Sequence, residues 1–163
     1  MSPIRLLLRT KLPEATDLVA ERYPGAELVR IFGLGLHADG AVVPAAPVEW
    51  LSRWEYAFCL AGDEPRPPWF VTVLYLYPGR PIVTPGAGNV SETEPFDEDT
   101  LAGLADSDRL VALFAEQPDF EPMAGTGEDC LVVSMRRMLD PVATMRNHRG
   151  QTLLLDPVEM RVL

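Results

Sequence analysis

His37 and Asp39 stand two positions apart in His-Ala-Asp-Gly, close enough for the carboxylate to orient the imidazole for general acid/base work. The same four residues also read as an ordinary polar turn, with no nucleophile marked beside them. His148, in Asn-His-Arg-Gly, reads as a turn residue that needs no chemistry. Ser107 lies between Asp106 and Asp108, and nothing like a Gly-x-Ser-x-Gly elbow surrounds it, so it reads as a helix start. The acidic run Glu92, Glu94, Asp97, Glu98 and Asp99 offers oxygen ligands but lacks the spacing and closing glutamate of a calcium loop. Gly33-Leu34-Gly35 lacks the third glycine and the following helix of a dinucleotide fingerprint. Cys59 and Cys130 form no Cys-x-x-Cys pair and have no histidine at ligand spacing, so both read as small buried apolar residues of a reduced protein. These residues predict no metal site and no cofactor.

The side chains best suited to binding are aromatic. Trp50, Trp54, Tyr56, Phe58, Trp69, Phe70, Tyr75 and Tyr77 concentrate on two adjacent segments. If one sheet face is uncovered, Trp54, Tyr56, Trp69, Tyr75 and Tyr77 form a binding surface. If it is covered, they are the core under the helices. A cavity between sheet and helices lined by Trp54, Trp69 and Tyr75 would instead carry a small apolar ligand.

The elements that must position these residues follow from periodicity and punctuation. Residues 13–23 form a helix, with Pro13 in the first turn, Ala15, Leu18, Val19 and Tyr23 on one face, and Pro24-Gly25 as its stop. Strands follow at 26–36, at 54–60 and at 69–77, the last apolar on both faces and therefore expected at the centre of the sheet. The prolines of 81–84 suit an edge strand. Residues 85–99 read as an acidic linker or loop, followed by short helices at about 98–105 and 107–116. Cys130 to Met138, Val142 to Asn147, Gln151 to Leu155 and Val158 to Leu163 complete the chain as extended segments.

This order predicts an α+β fold of one domain over residues 1–163. An antiparallel sheet carries helices on one face, and two α-β-β-β halves, 12–84 and 97–163, join through the acidic loop 85–99.

Composition limits the partners. With 163 residues, 47% of them apolar, the chain can close a core without staples. Its formal charge of −10 repels nucleic acid. The charge is uneven: residues 1–130 hold 9 basic against 21 acidic side chains, while 131–163 hold 5 arginines against Asp140, Asp156 and Glu159. No apolar run reaches the length of a secretory core or a membrane span, so a soluble, cytoplasmic protein is expected.

Two stretches, EATDLVAERYPGAELVRIFGL and DSDRLVALFAEQ with the later RGQTLLLDPVEMRVL, give the chain a layout that resembles the PepSY-like domain family. In that family the last strand commonly ends in a Val-Asp-Ala-x-Thr-Gly type turn; Leu155-Asp156-Pro157-Val158-Glu159 approximates it, with Pro157 for the small residue and no glycine. The resemblance implies a helix packed on a short antiparallel sheet, and some members inhibit proteases as propeptide modules. The sequence therefore leads to a non-enzymatic module that binds or inhibits a protein, either a foreign partner or a second copy in a homodimer. Its alternatives are the apolar-ligand carrier and an enzyme using His37 and Asp39.

Overall fold

The computed structural model describes residues 4–44, 52–60, 69–77, 80–87, 93–136 and 140–163. Helix α1, Leu12–Arg22, has Pro13 in its first turn and buries Leu12, Ala15 and Val19, spaced to share one face. It ends where Tyr23 donates its N–H to the Val19 carbonyl and Gly25 turns at φ +88°. Strands β1 (Glu27–Leu34), β2 (Arg53–Leu60), β3 (Trp69–Tyr77) and β4 (Arg80–Ala87) follow. After the two-residue β5 (Thr93–Glu94), Asp97 caps α2 (Glu98–Gly103) by accepting the Thr100 N–H, and Asp106 caps α3 (Ser107–Ala115). Strands β6 (Cys130–Arg136), β7 (Pro141–Arg146), β8 (Thr152–Asp156) and β9 (Arg161–Val162) close the chain.

Among the described residues, eight strands join one antiparallel sheet in the order β4-β3-β2-β1-β6-β7-β8-β9, and β5 pairs with β6 off that path. β5 takes over the pairing of β6 at Met135 and Arg136, beyond the last β1 partner at Arg30. The strands before the acidic stretch therefore run outward from β1, and those after it run outward from β6.

Register fixes which side chains are buried. One row across the sheet, Val73, Tyr56, Ile31, Val133, Ala143 and Leu155, lies in the core. The buried residues of α1 (Leu12, Ala15, Val19) and α3 (Leu110, Val111, Phe114) belong to the same cluster. One residue along each strand the pleat reverses, as period-2 alternation requires. There Ile82, Leu74, Glu55, Phe32, Val132, Thr144 and Leu154 are half-exposed or exposed.

Two expectations change. β3 does not lie at the centre: it is second from the edge, and β1 and β6 hold the middle. Its apolar second face has another cause, because Phe70 packs with Val29 and Ala57 in a small separate cluster. The β4 strand is outermost, as its prolines require, but it runs on to Ala87, inside the stretch read as linker.

Candidate functional site

The His37–Asp39 pair is not a dyad. Asp39 turns outward, where its carboxylate accepts from Arg5 Nε at 2.9 Å and lies 2.6 Å from the second guanidinium nitrogen. Its other oxygen accepts the Ala41 N–H. Although burial opposes its charge, the Ala41 amide and Arg5 hold the Asp39 carboxyl below its ordinary value. His37 packs its ring against Gly125, and its backbone closes the turn, the N–H bonding the Ala41 carbonyl and the carbonyl accepting the Gly40 N–H. The four residues make a turn that needs φ +83° at Gly40.

That glycine also lets α3 approach. A Cβ there would stand 2.5 Å from the backbone of Ser107 and Asp108. Ser107 is fully buried, donating its hydroxyl to the Gly40 carbonyl at 2.7 Å and accepting the Leu8 N–H at 3.0 Å. Residues Leu6 and Leu8 are thus gripped from several sides. Leu6 exchanges backbone hydrogen bonds with Val42, and Arg9 N–H bonds the Asp106 carboxylate. The Arg9 guanidinium covers the last carbonyls of α2, at Leu101 and Leu104.

Of the five aromatic residues expected at a binding surface, Trp54, Tyr56 and Tyr75 lie in the core. Trp54 and Tyr56 are completely buried and Tyr75 is 1% exposed. Their polar tips are spent inside the protein: Trp54 Nε1 donates to the Leu6 carbonyl at 2.8 Å, Tyr56 to the Leu8 carbonyl at 2.6 Å, and Tyr75 to Glu14 at 3.0 Å. Burial, with Tyr75 nearby, pushes the Tyr56 hydroxyl well above its usual range. Trp54 and Tyr75 are also unavailable to line a cavity for an apolar ligand, because these rings pack into the core that fastens residues 6–14 to the sheet. The side chains of Trp69 and Tyr77 lie outside the described residues, as does Trp50. Cys59 and Cys130 are half-buried rather than fully buried, on β2 and β6, and both thiols are pushed up, chiefly by burial.

The carboxylate–imidazole pair that does form is Asp129 with His148. Asp129 is fully buried just before β6, and His148 follows β7 with its side chain 26% exposed. Because Cys130 pairs with Arg146, the β6–β7 register brings the two together. Asp129 Oδ1 meets His148 Nδ1 at 3.0 Å and accepts the His148 N–H at 3.0 Å. Oδ2 accepts the N–H and hydroxyl of Thr126. Burial works against the charge, but His148 and Thr126 together hold the carboxyl below its ordinary value. Such a pair orients an imidazole. Its remaining contacts are turn-forming groups, and the Asp129 carbonyl accepts the Gly35 and Leu36 amides, so it ties three segments into one corner.

A carboxyl depressed by folding stabilises the protein above its unfolded value, about 3.9, and that contribution is lost as pH falls through the folded value. Below about pH 4 the melting temperature should therefore fall less steeply for Asp129→Asn than for the parent. Parallel melting curves of the two between pH 3 and 6 would contradict this.

Among the described residues, no three histidine, cysteine or acidic side chains are arranged to hold a metal ion, and no helix is long and apolar enough to cross a membrane. In the acidic run Glu92 lies outside the described residues, and Asp97 is spent as the α2 cap. Compared with protein-family models, curated proteins and solved structures, the chain matches none of them.

Proposed function

We propose that the protein is a non-enzymatic binding module of two α-β-β-β halves, PepSY-like in layout, whose helices cover one sheet face and whose other face holds a protein partner. The observation that carries this reading is the row Ile82, Leu74, Glu55, Phe32, Val132, Thr144 and Leu154, five of its seven members apolar and none fully buried. At ~4.8 Å between strands it extends about 29 Å, the scale of a standard protein interface. Ile82 is exposed and the other four apolar members are half-buried, and an apolar band left partly open over that extent is what an interaction site offers. Strand order β4 to β1 and β6 to β9, mirrored about the middle, supports the two-half layout.

The flanks of the row indicate the chemistry of the partner. Arg30 lies to one side and Arg53 and Arg146 to the other, with Glu55 paired to Arg53. The Arg30 Nε is buried with no acceptor. In a chain of charge −10 this is a locally basic region, complementary to a partner with an apolar centre and an acidic rim. Arginine beside apolar and aromatic groups is also the composition of interface cores.

Val132→Glu places a carboxylate in mid-row without touching the buried face. A partner captured from native lysate at 150 mM salt should be retained at least about tenfold less by this variant, while the melting temperature moves by less than about 2 °C. Equal capture by parent and variant would overturn the reading. A protein that sediments as a dimer, and as a monomer once Val132 is changed, would identify the partner as a second copy.

A further inference from the structure

On the sheet face turned away from the helices, Phe32 and Leu34 of β1 and Val132 of β6 are half-buried, and Val132 pairs directly with Phe32. These strands hold the middle of the sheet, so the apolar stripe they carry is two strands, about 10 Å, wide. Arginines bound the stripe. Arg30 lies two residues before Phe32 on the same face, while Arg53 on β2 and Arg146 on β7 stand level with Leu34 through the pairs Leu34–Arg53, Leu34–Cys130 and Cys130–Arg146. Arg53 and Arg146 are therefore about 14 Å apart across the strands, and Arg30 is about 14 Å from their level along them. Arg53 leans over the Phe32 ring, 5.7 Å from its centroid, and pairs with Glu55. The other two differ: the Arg30 Nε is buried without an acceptor, and among the described residues no ion pair reaches Arg30 or Arg146. A guanidinium packed in this way is held in position without being neutralised.

We propose that the partner's contact element is an acidic amphipathic α-helix that lies along β1 and β6, a proposal that rests on the reading of this face as the partner surface. Its apolar stripe covers Phe32, Leu34 and Val132. Its carboxylates meet Arg30 and Arg146, and the 14 Å between those levels corresponds to about nine residues of helix. The geometry selects a helix over other elements. An added strand needs an open sheet edge, and the edges here are β4, with Pro81 and Pro85, and the two-residue β9. A second sheet laid on the face would cover Arg53 and Arg146 together and strip both of water. A helix, about 10–12 Å across, fits between them and leaves the two charged heads at its sides in water. Two copies of this chain seated face to face would bring arginine against arginine, which disfavours a second copy as the occupant.

Fluorescence anisotropy of labelled synthetic peptides against the full chain tests this. The probe is a helical peptide of about 18 residues with leucines along one face and two glutamates about nine positions apart. It should bind the parent at least about tenfold more tightly than the same peptide with glutamines in place of the glutamates. Arg30→Gln and the exposed Arg146→Gln should each weaken the glutamate peptide at least about fivefold and leave the glutamine peptide unchanged, since the coupling belongs to the charge pairs. A peptide of the same composition with its leucines at alternate positions, the pattern of a strand, should bind more weakly than the helical one. No binding of the glutamate peptide at about 1 mM overturns the proposal. So do equal binding of the glutamate and glutamine peptides, indifference to both arginine substitutions, and tighter binding of the alternating peptide. The underlying reading fails separately: if Val132→Glu still abolishes capture from lysate, the face remains the partner surface and only the helix is lost.

Discussion

Trp54→Ala should lower the melting temperature by about 6–20 °C. The side chain is fully buried, and its ring lies so close to the β1 backbone that a Cβ on Gly33 would come within 2.5 Å of it. Removing a buried tryptophan costs about 3–5 kcal/mol through lost transfer energy and the cavity left behind. It also removes one of the two donors to the Leu6 carbonyl, Nε1 at 2.8 Å, and leaves the Val42 N–H. In a chain of this size each kcal/mol moves the melting temperature by roughly 2–4 °C. A variant that melts within 3 °C of the parent would mean that the tryptophan is not packed as described. A functional surface residue would behave in the opposite way, losing binding with little loss of stability, so the same measurement separates core from surface.

Gly40→Ala is expected to cost about 3 kcal/mol, and Gly25→Ala about 1 kcal/mol. Both glycines turn through nearly the same dihedral, φ +83° and +88°, so both variants bear the backbone penalty. They differ in surroundings: an added Cβ at Gly25 meets nothing within 4 Å, whereas at Gly40 it meets the backbone of Ser107 and Asp108 at 2.5 Å. Backbone cannot swing aside as a side chain can, so α3 must shift and loosen the Ser107 hydrogen bonds to Gly40 and Leu8. Chemical denaturation of the pair reads the difference between the two penalties as the cost of that approach. Equal losses would mean that the turn and α3 are not in contact.

Local order was readable because it is punctuated. Pro13 and Pro24-Gly25 bracket α1 within a residue at each end, and the unbroken Trp69 to Tyr77 run is β3 from end to end. Asp106, in the Asp-Ser-Asp that reads as a helix start, caps α3, whereas Asp97, which reads as part of the acidic linker, caps α2. An antiparallel sheet with the proline-bearing strand at its edge is legible, but the strand order and the side of the sheet that each aromatic takes depend on pairing at a distance. β3 was expected at the centre because apolar residues on both faces usually mean burial on both, but Phe70 finds its cover in Val29 and Ala57. Alternation showed that Trp54 and Tyr56 share a face without showing which face the helices would cover. Asp129 and His148 lie 19 positions apart, so no local spacing marks them as it marks His37 and Asp39. The signal existed at one remove: a hairpin pairing 130–136 with 141–146 puts the residue before the first strand beside those after the second.

The placement of Leu6 and Leu8 has a consequence in time. Their acceptors and donors lie on residues made much later: Trp54 and Tyr56 each 48 positions downstream, Ser107 a further stretch along, 99 positions from Leu8. At synthesis rates of about 5–20 residues per second, the Leu6-Leu7-Leu8 run is outside its final cover for roughly 5–20 s on each ribosome. Contacts of such long sequence separation also form slowly once the chain is free. This apolar run is therefore among the last parts of the chain to be sheltered, and in the cell it gives a nascent-chain chaperone a long opportunity to bind.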